Sequence, residues 1–236
     1  MNYKNVTLCK LAIASTMYDS LTPFNRSLES LNEATGSNID LANRAHRLSL
    51  MEWLNDWRCR HLSEDQHDVA SNSILNWYQV HGASLFTNEK PLWDLKDGEL
   101  EIAARAYGSL KNKTGAWRVR GGKKLEVHIG ETAASKILFA IRPKALMPWD
   151  DDMRKSSGCD GSPLSYAGYL SMIRDLTFHI DTLCRRGGFQ IKDLPEKIGR
   201  PNLTVVALIN EYAWVTKTRK VTLPSSETLM QWASLG

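Results

Sequence analysis

Residues 125–155 read LEVHIGETAASKILFAIRPKALMPWDDDMRK. Gly130 lets the chain bend. Ala133, Ala134, Ile137, Leu138 and Ile141 then recur at helical spacing, which predicts a packed helix of small apolar residues. Pro143 and Pro148 bracket the loop that follows. Asp150 stands where an N-cap belongs, and Asp151 and Asp152 suit the first turn of a second helix. The stretch is thus a turn, a helix, a proline-bounded loop and a second helix start.

Working outward, the same periodicity covers most of the chain. Val6 to Tyr18 and Ile39 to Trp57 carry apolar residues three and four apart. Ser63-Glu64-Asp65-Gln66 is a capping-box start for a helix with Val69, Ile74 and Trp77. Ser162-Pro163 sets a cap before an N1 proline, and Gly187-Gly188 stop the long helix that follows. Asn202 to Trp214 and Ser226 to Leu235 complete the set. Strand alternation is scarce, with one short extended piece expected at Phe189 to Ile191. The expected fold class is all-α, a helical bundle of two lobes with a cleft. The 236 residues form one domain, in which 123–155 is a basic hairpin plus the Asp150 helix.

Composition excludes several classes. Apolar residues are 42% and charged residues 24%, which is ordinary for a folded globular chain and rules out disorder. No run of about 18 apolar residues exists, so no membrane contact is expected. MNYKNVTLCK lacks the features of a secretion signal, which sets the expected localisation as cytoplasmic. Cys9, Cys59, Cys159 and Cys184 contain no CxxC pair and read as reduced thiols. No histidine or cysteine set has metal-ligand spacing, so no metal and no cofactor are expected.

The charge is unevenly placed. Residues 105–144 hold ten basic side chains and two acidic ones, a net +8. The remainder, with 20 basic and 24 acidic residues, is −4. A positive block on an otherwise acidic chain is the footprint of a polyanionic partner. Within it, Arg118, Arg120, Lys123 and Lys124 surround Gly121-Gly122 in a flexible turn beside Trp117. Trp117 is a candidate wedge into a duplex. Trp53 and Trp57 lie four apart on one helix face, with Asn55, Arg58 and Arg60 among them, a pattern for a base pocket or a DNA-facing ridge.

Gly130, the Thr132-Ala133 pair and Asp150-Asp151-Asp152-Met153-Arg154 together resemble the core of the helix-hairpin-helix DNA glycosylase superfamily. There a hairpin glycine leads into a small-residue helix, and a catalytic aspartate in a D-x-x-x-R pattern follows about twenty residues later. The resemblance covers some thirty residues. It departs in the hairpin, where Glu126-Val127-His128-Ile129-Gly130 lacks the usual proline and first glycine. Glu131 and Thr132 occupy the neighbourhood of the nucleophilic lysine of bifunctional members, and Lys136 lies a turn later, expected to point elsewhere. What the resemblance implies is a monofunctional enzyme acting on double-stranded DNA, with Asp150 as its catalytic carboxylate and no obligate protein partner. Trp149, Trp53, Trp57 and Asn55 are candidates for the base pocket. Arg118, Arg120, Lys123, Lys124, His128, Gly130, Thr132, Lys136 and Arg154 are candidates for DNA contact.

The chemistry asks for one carboxylate. Cleaving an N-glycosidic bond builds cationic character on the deoxyribose, which a carboxylate stabilises while it orients water. The base must also leave the stack and enter a pocket, where tryptophan is a natural wall. An altered hairpin and abundant tryptophan would suit a bulky base, such as a phage-type modified cytosine, and hence a role in antiphage defence as well as in base excision repair. Other readings stay open: Asp150 as a plain cap, a non-catalytic nucleic-acid-binding module, a protein-interaction scaffold, and a metal-dependent nuclease built on the aspartate trio.

Overall fold

The computed structural model describes residues 5–59 and 64–234. The chain begins with α1 (Leu8–Leu21), capped by the Thr7 hydroxyl, which accepts from the Lys10 amide. Then come α2 (Phe24–Thr35), α3 (Arg44–Asp56), α4 (His67–His81) and α5 (Asp97–Lys111). Two strands follow, β1 (Thr114–Arg120) and β2 (Lys123–His128). The remaining helices are α6 (Gly130–Ile141), α7 (Asp151–Ser156), α8 (Pro163–Arg186), α9 (Leu194–Lys197), α10 (Val205–Ala213) and α11 (Ser226–Ala233). The protein is therefore mostly helical, and the sheet is confined to two strands among the described residues.

Two helices form the inside of the molecule. In α6 every residue from Ala133 to Ile141 is buried, and in α10 every residue from Val205 to Glu211 is. A helix mostly apolar around its circumference belongs in a core, and the charged residues these two carry, Lys136 and Glu211, find hydrogen-bond partners inside it. Around them α1 packs on α10, α5 on α6 and α8, and α3 on α2, α4 and α6. Gly108 permits the close approach of α5 to α8, because a side chain there would run into the Pro163 ring. Tyr107, Trp149, Tyr166 and Tyr169 make an aromatic cluster at this junction, with Tyr107 and Tyr166 stacked 4.3 Å apart.

The structure differs from the sequence reading in particular places. Residues 114–128, read as a loop and a turn, form an antiparallel hairpin in which Arg120 pairs with Lys123 across Gly121-Gly122. Both glycines have positive φ, 58° and 74°, which a two-residue turn of this handedness requires. Gly130 (φ 78°) opens α6 after a strand, not after a helix-to-helix turn. Helices α2 and α5 were not visible in the apolar spacing. Helix α3 begins at Arg44, with Asn43 as its cap, so Ile39 and Leu41 pack from the turn before it. Phe189 to Ile191 forms no strand. Ser63 of the expected capping box and Arg60 lie outside the described residues. No described helix is long and apolar enough to cross a membrane.

Candidate active site

Asp150 caps α7 from the proline-bounded loop, as its position in the sequence requires. Its Oδ1 accepts the Met153 amide at 2.8 Å, and its Oδ2 accepts the Thr218 hydroxyl at 2.6 Å. Each carboxylate oxygen has two lone pairs, so both can accept again. The half-buried carboxylate borders a cavity of about 280 Å³.

The cavity has one continuous aromatic lining. Trp57 lies 5.5 Å from Phe24, and Trp53 backs it at 4.6 Å. Phe24 in turn meets Trp214 edge-on at 6.2 Å, and Trp214 meets Tyr18 edge-on at 5.0 Å. Trp214 and Thr218 belong to a single π-helical turn, Trp214–Thr218, that continues α10. Such turns are rare and concentrate at functional sites. Here the wider turn presents Trp214 and Thr218 to the same cavity, and Arg219 follows at its edge.

Lys136 enters the wall from α6. Its ammonium donates to the Trp57 carbonyl at 2.6 Å and lies 5.5 Å from the Trp57 ring. It was expected to point elsewhere and to be available to DNA. In fact it is buried, because Thr132 and Lys136 are four apart and share the face of α6 that lines the cavity. Beside it, burial pushes the Cys59 thiol up, against the opposing pull of the Lys136 charge.

Behind Tyr18 lies a buried carboxyl, Glu211. Its Oε1 accepts from Asn25 at 2.7 Å, whereas its Oε2 is buried without a partner among the described residues. Burial raises it to about 7, opposed by hydrogen bonds from Ser15 and Asn25 and by Arg200. The Tyr18 hydroxyl is held well above its usual range by burial first, then by Glu211 and Asp150.

The other expected site residues divide. Trp57, Trp149 and Thr132 border the cavity with Asp150. Trp149 does so from the core, its indole N–H donating to the Glu131 carbonyl at 3.3 Å. Trp53 does not reach the cavity; it lies in the core behind Trp57 with its indole N–H unpartnered among the described residues. Asn55 also points away and meets His67 at 3.1 Å. Arg154, expected at DNA, bonds Asp151 at 2.5 Å and the Cys159 carbonyl at 3.2 Å. Asp151 is also held by Lys155, so the three aspartates do not converge on one point. No group of three candidate metal ligands occurs among the described residues.

The hairpin carries the remaining expected contacts. Arg118, Arg120, Lys123, Lys124 and His128 are all exposed. Among the described residues, none of the first four has an ion-pair partner; His128 is 3.8 Å from Glu126. Lys124 lies 4.5 Å over the Trp117 ring. The arm is held by the packing of β1 on α4 and, midway along β1, by the Gln66 amide, which bonds both backbone groups of Trp117. From β2 the chain runs directly into α6, so arm and cavity share one helix.

Arg58, read in the Trp53–Trp57 pattern, lies at the cavity. Sequence reasoning missed Tyr18, Phe24, Trp214, Thr218 and Arg219. They come from the two ends of the chain, and no local motif joins them. Comparison with protein-family models, with curated proteins and with solved structures gave no match.

Proposed function

We propose that the protein is a monofunctional DNA glycosylase with Asp150 as its catalytic carboxylate. The observation that carries this is the placement of one carboxylate, with lone pairs to spare, at an aromatic cavity of nucleobase size. In this reading a base turned out of the duplex stacks against the aromatic lining of Trp57 and Trp214. Asp150 stabilises the developing deoxyribose cation and orients the attacking water; the base leaves and an abasic site remains. The Lys136 amine is occupied by the Trp57 carbonyl, which supports hydrolysis over attack by an amine. The cavity would be the cleft between two helical lobes, one carrying α1 and α10 and the other α3 and α6. The hairpin supplies the unpaired cations for the DNA backbone.

The cavity volume lies just below the roughly 300–1,000 Å³ typical of small-molecule sites. It leaves room for a single nucleobase of either ring size. A glucosylated cytosine would have to leave its sugar outside the mouth, so defence against phage stands as an arm of the test. DNA carrying uracil, alkylated, oxidised or phage-type modified bases is treated with wild type and Asp150→Asn in EDTA, and alkali-labile breaks are read. Breaks made by the wild type, and reduced about 10²–10⁴-fold in the variant, are the expected result. Binding by both proteins with no breaks on any DNA would replace the enzyme by a non-catalytic binding module.

A further inference from the structure

Arg58 occupies a position where helices usually place glycine. Helix α3 ends in a Schellman motif: the Cys59 amide donates to the Leu54 carbonyl and the Arg58 amide to the Asn55 carbonyl, both at 2.8 Å. The residue between them must be left-handed, and Arg58 has φ 62°. Glycine would take this conformation without strain, whereas a side chain is strained in it. Strain held at one residue is a reason to ask what its side chain does. Here Arg58 is exposed at the edge of the Asp150 cavity and follows directly on Trp57 in the aromatic wall.

A second arginine stands at the same cavity beside Trp214. Arg219 follows the π-helical turn, and its guanidinium lies 5.6 Å from the Trp214 ring. Both arginines are therefore attached to tryptophans of the aromatic lining against which a base would stack. Neither has an ion-pair partner among the described residues. Among the described residues Asp150 is the only carboxylate that lines the cavity, and it is engaged by Met153 and Thr218. Guanidinium groups suit phosphate oxygens because their N–H groups form a planar fork.

We propose that Arg58 and Arg219 hold the two phosphates flanking the nucleotide whose base enters the Asp150 cavity. The ligand is then a nucleotide unit of a DNA strand, recognised by its phosphates at the rim as well as by its base within. This rests on reading the cavity as a nucleobase site, and it is separate from hydrolysis. It also differs from the hairpin's role, since the hairpin grips the backbone wherever it lies and the arginine pair acts only at the turned-out nucleotide.

The test uses short duplexes with one unpaired deoxynucleotide, one duplex for each of the four bases, and binding read by fluorescence anisotropy. In a matched set, the two phosphates beside the unpaired nucleotide are neutral methylphosphonates. Wild type should bind the charged set about tenfold more tightly than the neutral set. Arg58→Ala/Arg219→Ala should bind both sets alike, at the wild-type affinity for the neutral one. Arg58→Gly supplies a variant that cannot be dismissed as misfolded: it should melt at a higher temperature than wild type and yet bind the charged set less tightly. A purely structural Arg58 would give the higher melting temperature with no loss of affinity. Equal wild-type affinity for the two sets, undetectable binding of both, or a charged-set advantage that survives the double substitution would overturn the proposal. The glycosylase reading is judged independently, by abasic sites, so loss of one leaves the other standing.

Discussion

The hairpin and the cavity wall handle charge in opposite ways. On the hairpin, Arg118, Arg120, Lys123 and Lys124 stand in solvent with no ion-pair partner among the described residues. Behind the wall, charges are buried and given partners: Lys136 on the Trp57 carbonyl, Arg142 on the Phe86 carbonyl and Asn88, Glu211 on Asn25. Yet Lys136 and Arg142 belong to the same +8 stretch as the hairpin cations. Lys111, bonded to the Gly161 carbonyl, and Lys144, paired with Glu89, are also occupied within the fold. Charge counted along a sequence is therefore not a surface patch. Burial removes an ionic group from partner binding because its N–H donors must be satisfied inside. Only exposed, unpaired cations keep their charge for a polyanion.

The largest expected effect sharpens that division. Replacing Arg118, Arg120, Lys123 and Lys124 together by alanine should weaken DNA binding roughly a thousandfold at low salt, at about 1 kcal/mol for each phosphate contact. The slope of log affinity against log salt should fall by about 4. Thermal unfolding should be unaltered, because the four side chains bond nothing in the core. A drop in melting temperature with no loss of affinity would reverse the assignment of the two regions.

The next effect concerns the buried side. Glu211 titrates at about 7 in the folded chain because burial disfavours its charge. In the unfolded chain an ordinary glutamate titrates near 4.3. Between these values the folded protein holds a proton that the unfolded chain has lost, so stability falls as pH rises. The fall is complete above about pH 7. Glu211→Gln has no such proton to lose, so wild type should lose stability relative to the variant between pH 5 and pH 8, by on the order of 3 kcal/mol. Urea unfolding at the two pH values measures this. A difference that stays constant with pH would show that Glu211 is not buried as a titrating acid.

What the sequence made legible follows the same physics. Asp150 was readable because capping is a local property: Pro148, the aspartate and the helix behind it are consecutive. The inner helix α6 was readable because its residues are mostly apolar around its circumference. Helix α5 was not, since Ala103, Ala104, Ala106 and Gly108 pack closely through small side chains and weaken the apolar signal of Leu100, Tyr107 and Leu110. The hairpin escaped because Val119 and Leu125 alternate with arginine and lysine on a ribbon exposed on both faces, where no buried face imposes a pattern. Most of the cavity escaped as well. Tyr18, Phe24 and Trp214 join Trp57 only through the packing of α1, α2, α3 and α10, and each of these three alone reads as an ordinary core aromatic.

The smallest expected effect asks whether the hairpin is energetically separate from the interior. Gly122 has φ 74°, and a methyl group there would touch nothing within 4 Å. Gly122→Ala therefore costs only the strain of a left-handed alanine, about 1 kcal/mol, with no steric term. An isolated two-stranded ribbon is marginal in water; this one is tied to the body along the first half of β1, by packing on α4 and by Gln66, while its tip is exposed. The strain should then be relieved by local opening. Amide exchange in Arg118 and Leu125, a hydrogen-bonded pair of the ribbon, should quicken about fivefold, the factor that 1 kcal/mol gives. Exchange in α6 and α10, and the global melting temperature, should not change. A melting temperature lowered by several degrees would mean that the arm unfolds with the core. In that case the exposed cations are held by the same cooperative unit as the buried ones, and the two regions differ in charge but not in mechanics.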